Sequence, residues 1–176
     1  MAKYSAQYSS VPFAVTALGS SISTTGTNAF MALIGGVATG GLKVSEIYMG
    51  GEAASSSQVA SMAFSRATTL AATLTAGFAT IILTDIFASP PATAPSVGTQ
   101  WTTTTAPVAS ANALLHLSFN AYGGIVRWVA SPDQMITAFG TAAYTNGTQG
   151  TGGELILTQI AGTASTISGH ILFETL

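Results

Sequence analysis

The side chains that could carry proton, metal or anion chemistry are few. They are the carboxylates Glu46, Glu52, Asp85, Asp133, Glu154 and Glu174, the imidazoles His116 and His170, and the guanidinium of Arg127. Catalysis requires several such groups to converge. Serine is abundant, but no GxSxG elbow places one against a histidine. His116 and His170 lie far apart in sequence on separate expected strands, whereas a cupin-like two-histidine metal site brings them close together on one strand. Each reads as a hydrogen-bonded histidine at a strand face or interface. The glycine-rich pieces GGVATGG (35–41) and GTQGTGG (147–153) lack the lysine and following helix of a phosphate loop, so they read as turns. Glu154 and Glu174 remain open as a carboxylate pair facing each other across neighbouring strands, in the manner of a glycoside hydrolase, beside the simpler reading of surface or interface carboxylates. The sequence has no cysteine, which excludes disulfides, thiolate metal sites and thiol nucleophiles. No catalytic residue, cofactor or metal is expected, and the chain is not expected to be an enzyme.

Arg127 is the exception that needs a reason. It sits inside GGIVRWVASPDQM (123–135), in the middle of an apolar run. On a strand, Val126, Trp128 and Ala130 share one face, and Ile125, Arg127 and Val129 the other. Trp128 is then the core anchor, and Arg127 a cation between two apolar neighbours that needs a partner if buried. Glu174, Glu154 and Asp133 are the candidates, giving an inter-strand or inter-subunit ion pair.

Composition narrows the function further. Only 6% of residues are charged, against about 25% in an ordinary globular protein. The hydrophobic fraction is 48% and mean hydropathy is +0.51. A surface this poor in charge is either clothed in hydroxyls and backbone or covered by other subunits, and the second is favoured. The net charge is −2, and the four basic residues (Lys3, Lys43, Arg66, Arg127) are scattered, so no nucleic-acid partner is expected. No apolar run reaches the ~18 residues of a spanning helix, and a transmembrane β-barrel, which needs export and many alternating segments, stays only as a distant alternative, so no membrane partner is expected. The start has no long apolar stretch of the signal-peptide kind.

The elements that must position these side chains are strands. β-formers alternate between Gly, Ser, Pro and Asn clusters, which predicts an all-β fold, a β-sandwich of jelly-roll type. Residues 1–26 read as an extended N-terminal arm with Tyr4, Tyr8 and Phe13 as adhesive points, and 27–176 as a single domain. Strands are expected at 28–34, 42–49, 59–66, 78–86, 114–119, 125–130, 135–139, 154–160 and 167–174, with Gly50-Gly51-Glu52 opening a loop. Residues 89–112, with four prolines and TTTT, read as one long Pro/Thr-rich loop. Trp101 in that loop either folds back or docks on a neighbour.

Three segments carry a resemblance. SFNAYGGIVRWVASPDQMI (118–136), LKVSEIYMGGEAASSSQVASMAFSRAT (42–68) and the ending ISGHILFETL (167–176) resemble small virion proteins of tailed bacteriophages. The resemblance implies a capsid decoration or cement subunit, commonly a β-sandwich homotrimer, on the capsid surface of the virion after synthesis in the host cytoplasm. Its partners would be its own copies and the major capsid protein, and Arg127, Trp101, Tyr4, Tyr8 and Phe13 are the expected interface residues. The alternatives are a tail, fibre or receptor-binding module, then a cupin-like enzyme or a carbohydrate-binding domain.

Overall fold

Eleven strands carry the described part of the chain. A computed structural model describes residues 3–9, 29–34, 41–52, 59–69, 84–85, 96–98, 108–140, 145, 152–161 and 167–176. The strands are β1 (Lys3–Ser9), β2 (Ala29–Ile34), β3 (Gly41–Glu52), β4 (Val59–Thr69), β5 (Thr84–Asp85), β6 (Ser96–Gly98), β7 (Val108–Asn120), β8 (Tyr122–Val129), β9 (Ile136–Phe139), β10 (Glu154–Ala161) and β11 (Ile167–Thr175). Among the described residues there is no helix. The fold is all-β, with two antiparallel sheets. Sheet A runs β5-β1-β11-β3-β8, with β9 also paired to β3; sheet B runs β6-β2-β10-β4-β7.

The alternation of apolar residues explains the pairing. On β4, Ala60, Met62 and Phe64 point inward and are fully buried. Across sheet B the inner row Met31–Leu157–Phe64–Leu115 is in direct register. Sheet A answers with Leu42, Val44, Ile47, Met49, Ile171 and Phe173, and the two inner faces share one hydrophobic cluster. Residues directly opposite on antiparallel strands share a face, so each row adds to one apolar layer.

The sheets differ in the charges their strands carry. Sheet A strands hold Lys3, Lys43, Glu46, Glu52, Asp85, Arg127 and Glu174; sheet B strands hold only Arg66 and Glu154. On β10 the outward Ile156 and Thr158 are buried as well as the inward Leu155 and Leu157. A strand buried on both faces carries apolar residues at successive positions, which accounts for the run Leu155-Ile156-Leu157.

Several boundaries differ from expectation. Lys3–Ser9, read as part of an arm, pairs with β11 along its whole length and with β5 on its other side. The loop read at 89–112 contains β6 and the first residues of β7. The strand residues there are Ser-Val-Gly in β6 and Val-Ala-Ser-Ala-Asn at the start of β7, and neither strand includes a proline. Gly50-Gly51-Glu52 continue β3 instead of opening a loop. Gly51 is required there because the β7–β8 corner crosses it: a Cβ on Gly51 would overlap the backbone of Ala121. The corner itself is an Asx turn, in which Tyr122 N–H donates to Asn120 Oδ1 at 2.9 Å, followed by Gly123 at φ +73°. Of the strand expected at 78–86, only β5 is among the described residues; Phe13 and Trp101 lie outside them.

Candidate functional site

Arg127 leads to a charged cluster on the outer face of sheet A. It pairs with Glu46 on β3, not with Glu174, Glu154 or Asp133 as expected. Arg127 Nε donates to Glu46 Oε1 at 2.9 Å and Nη2 to Oε2 at 2.8 Å, a two-pronged fork. His170 on β11 brings Nε2 to 3.4 Å from Oε1 of the same carboxylate. The His170 ring stacks on Tyr48, with centroids 5.4 Å apart and planes 12° from parallel. Three adjacent strands thus place Arg127, Tyr48 and His170 in one row, with Glu46 one step along β3.

A bulge makes this possible. Leu42 and Val44 point into the core, so strict alternation would send Glu46 inward as well. Instead the register with β11 slips at Ser45: Phe173 faces Val44 and Leu172 faces Glu46. The extra residue reverses the alternation, so Ile47 and Met49 turn inward and Glu46 and Tyr48 outward. Ser45 also marks where β3 exchanges one partner for another, β9 up to Val44 and β8 from Glu46. Its polar groups secure the bulge, with Oγ donating to Leu172 O at 3.2 Å and its carbonyl accepting from Ala130 N–H at 2.9 Å.

The electrostatics are those of a structural clamp. Side-chain exposure is 60% for Arg127 and 12% for Glu46, so the carboxylate is the hidden member. The hydrogen bond from Arg127 holds the Glu46 carboxyl below its ordinary value; burial opposes this, while the charge of Arg127 and the His170 contact add to it. Arg127 is raised in turn, by its hydrogen bond to Glu46. A lowered carboxyl is the reverse of what a general acid needs at neutral pH. Because the folded value lies below the unfolded one, the stabilisation is complete above pH 4.5 and fades as pH falls through the lowered value. The stability difference between the wild type and Glu46→Gln is therefore expected to shrink from about pH 5 toward pH 3, measured by urea unfolding. Arg127→Ala is expected to move the Glu46 carboxyl upward in an NMR titration, because burial then acts against His170 alone.

The remaining expected site residues do not join this cluster. Glu154 lies on β10 in sheet B and Glu174 on β11 in sheet A, so they do not face each other across neighbouring strands. Glu174 is opposite Lys3 on β1 and Lys43 on β3 in register. His116, exposed on β7, and His170 are likewise on different sheets. Asp133 is exposed in the turn after β8. Tyr4 and Tyr8 are β1 positions paired with Phe173 and Gly169. Among the described residues no group of three or more histidine and carboxylate side chains could hold a metal ion. Glu46 is not among the expected partners, although LKVSEIYM carries the signal: apolar residues at 42 and 44, then at 47 and 49, with two polar residues at the change of phase.

Around the clamp the surface is apolar. Ile125 and Val129, which flank Arg127 on the outward face of β8, are 67% and 57% exposed. Val126 and Trp128 point the other way, against the core. Comparisons with protein-family models, curated proteins and solved structures find no match to this chain.

Proposed function

We propose that this chain is a structural subunit of a phage virion, a decoration or cement protein that stabilises the head by bridging capsid subunits. The observation that supports it most is the β8 edge: two large branched side chains stand exposed on either side of an arginine whose charge its own carboxylate already compensates. Such a surface suits burial against other subunits better than permanent contact with water. The low overall charge supports the same reading, and the sequence resemblance of 42–68, 118–136 and 167–176 supplies the phage setting. In this reading the two sheets form a jelly-roll sandwich. The subunit forms homotrimers on the capsid surface, contacts the major capsid protein, and takes no cofactor. Its action is mechanical: apolar burial between it and its neighbours opposes opening of the shell, and many copies multiply contacts that are weak singly.

The test compares shells assembled with and without the chain. Shells that carry it are expected to resist heat and pressure better; equal resistance would contradict the cementing role. A receptor-binding tail module is the second reading, favoured by the stacked Tyr48–His170 rings on the outer face of sheet A, since stacked rings can serve as a platform for sugars. Binding of the purified chain to host cells, which cement does not require, separates the two.

A further inference from the structure

We propose that two copies of this chain join edge to edge through Ile125–Val129 of β8, paired antiparallel about a twofold axis, so that sheet A continues from one protomer into the next. The inference rests on the reading of the chain as an assembling subunit and names the surface by which it assembles.

The backbone supplies the first argument. Among the described residues no strand pairs with the far edge of β8. Ala130 N–H points to β3, where it meets Ser45 O at 2.9 Å. Residues of the same parity, Val126 and Trp128, therefore direct their backbone groups to β3, and Ile125, Arg127 and Val129 direct theirs to the open edge. Natural edges are blunted by charged side chains, proline or bulges. From Ile125 to Val129 there is no proline, the register with β3 is regular, and the one charge, Arg127, is drawn onto Glu46 of its own protomer.

The side chains argue for a second copy as the occupant. Antiparallel pairing of a strand with itself is self-complementary. With Arg127 at the centre, each Ile125 meets the other copy's Val129, a pair of β-branched residues on one face. Each guanidinium is compensated within its own protomer by Glu46. A shift along the strand sets Arg127 against Ile125 or Val129 instead. Five paired residues fall short of the roughly 800 Å² per partner of a standard interface. The contact is therefore concentration-dependent in solution and firm only where many copies are held together. It is a twofold contact, distinct from the threefold one of a trimer, and would link trimers to each other.

The chain has no cysteine of its own, which makes the test clean. Full-length chains carrying Ile125→Cys, Arg127→Cys or Val129→Cys are oxidised singly and in pairwise mixtures, with Leu114→Cys on exposed β7 as the control. At least one β8 combination is expected to give a covalent dimer, and the control none. Val129→Pro removes an N–H that faces the open edge and none that faces β3, so its thermal unfolding should stay close to wild type while the twofold association is lost. Association that is untouched by Val129→Pro and never cross-links at β8 overturns this proposal and leaves the assembly reading standing. A wild-type chain that is monomeric at every concentration overturns both.

Discussion

Phe64→Ala is expected to lower folding stability by about 3–5 kcal/mol, the usual cost of removing a buried aromatic side chain and leaving a cavity. Phe64 lies at the middle of β4, 1% exposed, between Leu157 on β10 and Leu115 on β7. Its neighbours are held by ladders on both sides, so the cavity cannot collapse readily. Native stability of roughly 5–15 kcal/mol makes this loss a fifth of the total or more. Urea unfolding should show a lower midpoint at an unchanged slope. Leu114→Ala on the exposed part of β7 should stay within about 0.5 kcal/mol of wild type. A Phe64→Ala loss under about 1 kcal/mol would mean that the shared core of the two sheets is wrongly assigned.

Gly51→Ala is the second large effect, and its neighbour is its control. A Cβ at Gly51 meets backbone atoms of Ala121, at the corner where the chain passes from sheet B to sheet A. Backbone cannot rotate away as a side chain can, so β3 or the corner must shift. The expected cost is about 3 kcal/mol, the upper part of the range for overpacking. At Gly50 the nearest atom to a new Cβ is Ile125 Cγ2 at 3.7 Å, an ordinary contact. Gly50→Ala should therefore be neutral or slightly stabilising, since alanine loses less entropy on folding. Equal effects at the two positions would contradict the crossing of β3 by the corner.

The reasons some features were legible in the sequence and others were not are physical. Alternation located β4, β8 and β11 because each buries a face whose apolar residues repeat at period two, and β10 showed as a short apolar run. The orientation of β8 was legible for the same reason: Arg127 is outward between Ile125 and Val129, and Trp128 turns to the core. The partner of Arg127 was not, because the choice among carboxylates depends on which strand lies beside β8. That strand is β3, distant in sequence. Local pattern does not encode such a pairing, and Ser45 adds a change of phase that conceals the outward direction of Glu46. Gly50-Gly51 resembled a loop because glycine favours turns, but here the missing Cβ makes room for another segment of the chain. Lys3–Ser9 resembled an arm because KYSAQYS is polar; its ladder with β11 is made by backbone groups, which composition does not report.

The proposed cement role requires this chain to work in the company of its own copies. The most direct measurement is the mass of the purified wild-type chain by sedimentation equilibrium as concentration is raised. The expected result is a mass that rises with concentration to a defined multiple of 17.7 kDa, and that falls when Ile125 and Val129 are both changed to lysine. A single species of 17.7 kDa at every concentration would contradict it.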